Sequence, residues 1–343
     1  MRVGLLTGGG DCPGLNAVIR GVVRRGLQEE GSSFCGFRSG WAGVIAGEWI
    51  ELDRMSTSAL LPRGGTILGT SRTNPFSGGA DGVTPVRESM EKAGVNVLIP
   101  IGGDDTLGVA LKLHEAGIPV VGVPKTIDND LGATDVTFGF HTAVQIATDA
   151  IDRLHTTAES HNRVMVCEVM GRHAGWIATY AGMAGGADAI LVPERPFDVD
   201  ALCERLKVRH DSGWSFSIIV VAEGATPIEG SFSTVAQGTD AFGHARLGGI
   251  GDALAEQIEA KTGYETRVTV LGHVQRGGTP TAYDRVLATR FGVAAMEAAI
   301  SGRFGVMVGL SGTEIVEVPL VDAVTSPKLV DPGLYETAGV FFA

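Results

Sequence analysis

The sequence predicts an α/β protein of two domains with parallel strands, and three observations carry that expectation. Short apolar runs alternate with stretches of helical periodicity along most of the 343 residues. Many of the 50 glycines stand singly or in pairs just after such runs, where an α/β chain turns from strand to helix. The polar clusters also follow the apolar runs, and in doubly wound sheets sites lie at the carboxyl ends of strands. With 44% hydrophobic residues the chain can bury a large core, and its length suits two ordinary domains.

Taken in order, Val3 to Thr7 reads as a buried strand that runs into Gly8-Gly9-Gly10-Asp11-Cys12-Pro13-Gly14. A helix follows, with Leu15, Val18, Ile19 and Val22 on one face. Ser33 to Phe37 is expected to be a strand, and Trp41 to Leu52 a hairpin. Gly64-Gly65-Thr66 and Ser71-Arg72-Thr73-Asn74 bracket a loop. Thr84-Pro85 is expected to open a helix that Gly94 closes. Val95 to Ile101 is a strand, Thr106 to Glu115 a helix and Val120 to Val123 a strand. In the second half strands are expected at Val164 to Val169, Ala189 to Val192, Phe216 to Ala222 and Arg267 to Leu271. Helices are marked by Ile250, Leu254 and Ile258, and by the stretch from Tyr283 to Ala299. Thr226 to His244 is polar and reads as a surface excursion.

Two stretches carry the chemistry. In Ile99-Pro100-Ile101-Gly102-Gly103-Asp104-Asp105-Thr106 a strand breaks at two glycines before a helix. Glycines let the backbone approach an anion, and the free amides of a helix start face it. Two carboxylates there suit a phosphate only if a divalent cation lies between, and oxygen ligands suit Mg2+. Pro124-Lys125-Thr126-Ile127-Asp128-Asn129-Asp130 follows one helix and one strand later, so it comes off a nearby strand and faces the first motif. It adds a lysine, a threonine and two carboxylates. Metal, phosphate and a candidate general base point together to phosphoryl transfer. The glycine run after the first strand is neither a P-loop nor a dinucleotide fingerprint, for the chain has no Gly-Lys pair and no G-x-G-x-x-G spacing.

Single motifs also have plainer readings. Asp104 and Asp105 suit any helix start, and Asp128 and Asp130 suit a solvated turn. Arg172-His173, Glu223 and Arg276 each fit a surface position. The joint pattern decides: strand ends in the first half carry carboxylates, and those in the second half carry mostly arginines. That division fits a metal-bound phosphate donor on one side and a phosphorylated acceptor on the other.

The bulk numbers exclude several classes. A net charge of −12 without a lysine-rich run argues against nucleic acid. No apolar run reaches the ~20 residues of a membrane span, and Met1 to Thr7 has no signal-peptide character. Cys12, Cys35, Cys167 and Cys203 lack paired spacing and read as reduced thiols. A cytoplasmic protein is expected.

At these motifs the chain resembles the phosphofructokinase family. The matching stretches are Leu6 to Asn16, Gly102 to Thr106, Pro124 to Asp130, Met170 to Gly175 and Leu271 to Tyr283, in order along nearly the whole chain. The resemblance implies two Rossmann-like three-layer αβα domains. Residues 1–138 would form the donor domain, residues 139–301 the fructose 6-phosphate domain, and the segment from about 302 to 343 would pack back on the first.

It also implies roles. Asp128 would take the proton from the sugar 1-hydroxyl, with Thr126 and Arg172 completing the catalytic set. Asp104 would hold Mg2+. Gly9, Gly10, Arg72, Gly103, Asp105 and Lys125 would contact the donor. Thr126, Asp128, Asp130, Met170, Gly171, Arg172, Glu223, His273 and Arg276 would hold fructose 6-phosphate. Arg163 and Arg267 would reach it from a neighbouring subunit, in a homodimer or homotetramer with shared sites. Within the family, Asp105 and Lys125 replace two glycines of the familiar ATP-dependent pattern and resemble the pyrophosphate-dependent enzymes. The expected reaction is therefore reversible phosphoryl transfer from pyrophosphate to fructose 6-phosphate. The alternatives are the ATP-dependent enzyme and a sugar-phosphate-binding protein without catalysis. An effector site is matched only at Arg20, Arg24 and Arg54, with His155 in place of an arginine.

Overall fold

A computed structural model describes residues 1–229, 231 and 248–342. The first half runs β1 (Arg2–Thr7), α1 (Leu15–Gly26), β2 (Ser33–Phe37), α2 (Trp41–Ala46), β3 (Trp49–Leu52), α3 (Val83–Ala93), β4 (Val97–Gly102), α4 (Asp104–Glu115) and β5 (Val121–Pro124). The second half continues α5 (Phe140–His161), β6 (Val164–Val169), α6 (Trp176–Ala184), β7 (Ala189–Leu191), α7 (Val199–Asp211), β8 (Ser217–Ala222), α8 (Ile250–Thr262) and β9 (Thr266–Val270). The end of the chain forms α9 (Ala282–Ile300), β10 (Val306–Ser311), β11 (Glu314–Pro319), α10 (Leu320–Val324) and α11 (Pro332–Gly339).

Among the described residues the strands form two sheets. The larger has seven strands in the order β11-β10-β5-β4-β1-β2-β3, and the smaller has four in the order β7-β8-β6-β9. Central strands are parallel in both; only the β2–β3 and β10–β11 pairs are antiparallel. Every residue of β4, β6 and β8 is buried, which is why these segments are mostly apolar rather than alternating, Glu168 of β6 and Ser217 of β8 excepted. Helices cover both faces, and the apolar face of α1 is buried through Leu15, Val18, Ile19 and Val22. The fold class is the α/β arrangement expected. β10 joins the large sheet beside β5, and α9 packs on α1, so the chain returns to its first sheet at the end.

Three expectations need correction. Trp41 to Leu52 is not a hairpin: it forms α2 and then β3, which pairs with β2. Trp41 and Val44 are buried at helical spacing, and Gly47 ends the turn with φ 67°. The helix expected at Thr84 starts at Val83, because Asp81 Oδ1 accepts from the amides of Val83 (2.9 Å) and Thr84 (3.2 Å). Gly94 closes it with φ 69°. The helix expected from Thr106 starts at Asp104, so both carboxylates lie in its first turn, next to the positive end of its dipole. The excursion read from Thr226 to His244 lies, at residue 230 and from residue 232 on, outside the described residues. Among the described residues no helix is long and apolar enough to cross a membrane.

Candidate active site

The turns at the carboxyl ends of β1, β4 and β5 are tied to one another by backbone hydrogen bonds. Gly8 N donates to Ile101 O at 3.0 Å, and Lys125 N donates to Gly102 O at 2.9 Å. Gly9 N donates to Ser71 O at 3.1 Å, which brings in the loop that carries Arg72. The small sheet is tied in the same way: Glu223 N donates to Val169 O at 2.8 Å, and Gly224 N to Gly171 O at 3.1 Å. The two sets of turns face each other across one pocket.

One wall of the pocket is built by Gly9, Gly10, Arg72, the start of α4 from Gly103 to Thr106, and Lys125 to Asp130 except Asn129. The other wall is Arg172, His173, Glu223 and Arg276. Arg276 reaches across to the glycine turn: a Cβ added at Gly10 would stand 2.7 Å from its Nη1. Gly224 is needed for a similar reason, since a Cβ there would lie 2.0 Å from Arg172 O and push the arginine's backbone away.

Burial sets the electrostatics. Lys125 is only 5% exposed, and its ammonium donates to Gly10 O at 2.6 Å. Burial lowers its pKa, and the charge of Arg276 lowers it further, against the opposing charges of Asp104 and Asp130. The amide of Asp128 donates to Thr126 Oγ1 at 3.1 Å, while the Asp128 Oδ1 is buried without a hydrogen-bond partner. Burial first, then the charges of Asp130 and Glu223, push its pKa up to about 7; Arg276 and Arg172 pull it down. Asp130 is raised by burial and by Asp104, and a hydrogen bond with Thr126 opposes that. A carboxyl in the pocket lining that ionises near neutrality suits a proton acceptor.

The site therefore brings together Gly9, Gly10, Arg72, Gly103, Asp104, Asp105, Lys125, Thr126, Asp128, Asp130, Arg172, Glu223 and Arg276. Met170 and Gly171 sit just behind it. Met170 is buried, and its amide donates to the Oε1 of buried Gln275 at 3.4 Å. Gly171 takes φ 138°. His273 is exposed on the turn after β9, outside the pocket lining. Arg163 and Arg267 are not in the pocket. They lie at the starts of β6 and β9, the opposite end of the small sheet, and both pair with Glu265, Arg163 at 2.7 Å.

Sequence reasoning missed several supporting residues. His173 and Asp11 line the pocket, and buried Gln275 braces Met170. Asn129 is buried with φ 53°, and its Oδ1 accepts from Thr137 N at 3.0 Å. The only signal for Asn129 is its residue type, because Asn tolerates the left-handed region better than most.

The residues present fit Mg2+. Among the described residues no group of three or more His, Cys, Asp or Glu side chains is placed to hold a metal alone. Mg2+ is commonly held by one or two carboxylates plus substrate phosphates, so a complete protein cage is not required. Asp104, in the pocket lining, would be the protein's carboxylate ligand, with substrate phosphates and water completing the oxygen donor set.

Known proteins show the same organisation. The family model described as Phosphofructokinase matches residues 2–299. A pyrophosphate--fructose 6-phosphate 1-phosphotransferase of Streptomyces coelicolor is 59% identical over 343 residues, covering all of both chains. An ATP-dependent 6-phosphofructokinase 3 of the same organism is 54% identical over 338 residues, covering 98% of this chain and 99% of its own. The phosphofructokinase of Pichia pastoris, in a crystal structure of its T-state, superposes with a TM-score of 0.83 at 31% identity; the match covers 99% of this chain and 36% of that longer one. Matching strand-end motifs, a shared two-sheet fold and a family model spanning most of the sequence agree on one conclusion: the chain belongs to the phosphofructokinase family.

Proposed function

We propose that the protein transfers a phosphoryl group from pyrophosphate to the 1-hydroxyl of fructose 6-phosphate, giving fructose 1,6-bisphosphate. The observation that carries this reading is one pocket that holds Asp105, Lys125 and Asp128 on its first wall and Arg172 and Arg276 on the other. The name of the 59% identical relative supports the donor. Asp105 stands in the first turn of α4 directly after Asp104, where a nucleotide would have to extend past a carboxylate.

In this reading Gly9, Gly10 and the start of α4 offer backbone amides to the donor, and Arg72 and Lys125 offset its charge. Asp104 would hold Mg2+, which when bound neutralises charge on the phosphoryl oxygens. Arg172 and Arg276 face the pocket from the small sheet and attract the sugar phosphate. Asp128 accepts the proton of the 1-hydroxyl, and Thr126 fixes the loop on which Asp128 and Asp130 stand. Phosphoryl transfer needs alignment and charge stabilisation more than covalent help, which is what these groups provide. Arg163 and Arg267 lie too far round the sheet to serve their own pocket, so a symmetric homo-oligomer that shares sites is part of the proposal.

Two measurements test it. With fructose 6-phosphate and Mg2+, turnover is expected with pyrophosphate, with at least ~tenfold lower kcat/KM for ATP, a difference of ~1.4 kcal/mol in transition-state binding. Preference for ATP would replace the proposal with the ATP-dependent enzyme, and absence of turnover with either donor would leave a binding protein. The second is a pH profile. A general base works ionised, and the carboxyl of Asp128 is raised to about 7. The kcat/KM for the sugar phosphate should therefore climb as pH rises from 6 and level off above about 7. A flat profile from pH ~6 to ~8 would remove Asp128 from that role.

A further inference from the structure

The segment 325–331, between α10 and α11, lies beyond residue 299, where the match to the family model ends. It crosses from the large sheet to the small one and passes behind the loop that carries Asp128. Lys328 is its centre. The amide of Lys328 donates to Asp130 O at 2.8 Å. Its ammonium donates to Asn129 Oδ1 (2.9 Å), Thr134 O (2.9 Å) and Asp135 O (2.7 Å). An ammonium has three protons, and all three are used on one loop.

The other side of the same residue is fixed to the sugar-side wall. Trp176 Nε1 donates to Lys328 O at 2.9 Å, and the ammonium lies 5.4 Å from the centroid of the Trp176 ring. Trp176 opens α6, directly after the Met170 to Gly175 turn. Two residues on, Val330 N donates to Glu194 Oε1 at 3.0 Å, and the same oxygen accepts from Gly175 N at 3.0 Å. One short segment thus joins the loop with the carboxylates to the turn that carries Arg172.

The loop needs such support. Asn129 sits between Asp128 and Asp130 in a left-handed conformation, which Asn tolerates but which still has to be held in place for the two flanking carboxylates to keep their directions. Its side-chain oxygen is held from inside by Thr137 and from outside by Lys328. Thr134 and Asp135 would otherwise present carbonyls without these partners. Burying an ammonium is costly unless it is hydrogen-bonded, and this one is lowered to about 8 by burial, against the pull of Asp135 and Asp130. A lysine kept there at that cost, with all three of its protons on one loop, has a local task.

We propose that Lys328 is a positioning residue for phosphoryl transfer: its ammonium fixes the Asp128-Asn129-Asp130 loop, and its backbone ties that loop to the sugar-side wall. The proposal rests on the reading that Asp128 is the base. It adds that alignment of this base comes in part from the end of the chain.

The test is a double-mutant cycle on the full-length protein. Lys328→Met keeps the apolar stem against Trp176 and removes the charge. Its kcat is expected to fall about tenfold, ~1.4 kcal/mol of transition-state stabilisation, with both KM values within about threefold, since misalignment acts on the chemical step. Lys328→Arg keeps a cation and should retain more kcat than Lys328→Met. In an Asp128→Asn background the loss from Lys328→Met should largely vanish, because residues acting as a unit are not additive. A Lys328→Met enzyme within twofold of the parent would overturn the proposal. So would equal kcat in the Met and Arg variants, additive losses in the cycle, or a fall in kcat matched by rising KM values and a lowered Tm. If Asp128→Asn itself keeps its kcat, the base assignment has failed instead, and the Lys328→Met result on the parent enzyme still stands by itself.

Discussion

Asp128→Asn is expected to lower kcat by ~10²–10⁴-fold, the usual contribution of a positioned general base, while the KM for fructose 6-phosphate changes little. The carboxyl is buried, its Oδ1 has no protein partner, and Arg172 and Arg276 approach from the far wall. An amide has nearly the same shape but cannot accept the proton, so the loss falls on the transition state rather than on sugar binding. Stability gives an independent check of the sign. The folded-state pKa of Asp128 is raised, so its neutral form is favoured on folding, and that contribution is lost as pH rises through about 7. The Asn variant escapes this loss. Its Tm should exceed that of the parent at pH ~8 and approach it in the acid range where both side chains are neutral. A variant that keeps half its kcat, or one less stable than the parent at pH ~8, would count against Asp128 as the buried base.

Asp105→Gly is expected to shift the donor ratio toward ATP by at least ~tenfold in kcat/KM, or ~1.4 kcal/mol. Asp105 follows Asp104 at the start of α4, so two carboxylates share one helical turn beside the donor turn. A pyrophosphate ends before meeting the second carboxylate, whereas a nucleotide continues into further phosphate, ribose and base. Repulsion between like charges grows as water leaves the site, so the carboxylate discriminates chiefly against the longer donor. Lys125 works in the other direction. It adds a compact charge for a small polyanion, and through Gly10 O it also braces the glycine turn. Asp105→Gly combined with Lys125→Gly should therefore raise ATP use further and weaken pyrophosphate use. Steady-state kinetics with each donor at saturating sugar phosphate decides; an unchanged donor ratio in Asp105→Gly would end the argument from that residue.

Most of the site was legible because its groups sit at strand ends. A strand that is buried on both faces is an uninterrupted apolar run, so its last residue is visible, and the polar residues after it are the ones that reach the cleft. Gly103 to Thr106 and Lys125 to Asp130 were read in that way. Arg72, Arg172, Glu223 and Arg276 gained meaning through the resemblance, and all four line the pocket. Element boundaries were less legible. Asp81 rather than Thr84 caps α3, and Trp41 to Ala46 forms a helix too short for its periodicity to stand out against the glycines around it. Lys328 was not legible at all. Nothing near it in sequence distinguishes it, and its partners Asn129, Thr134 and Asp135 lie nearly 200 residues earlier. A single long-range contact of this kind leaves no periodic trace.

The place of β10 bears on how the chain is made. β10 pairs with β5, and β11 pairs with β10, so the large sheet is closed on that side by residues 306–319. During vectorial synthesis at ~5–20 residues per second, β5 emerges from the ribosome long before its neighbour exists. Until then the nascent protein carries a parallel strand with an open edge, the kind of surface that pairs with other chains. The small sheet, whose strands all lie between Val164 and Val270, can assemble in that interval. The first sheet to be started is thus the last to be finished, and a chain halted before residue 306 would leave open the edge of the strand leading into Asp128.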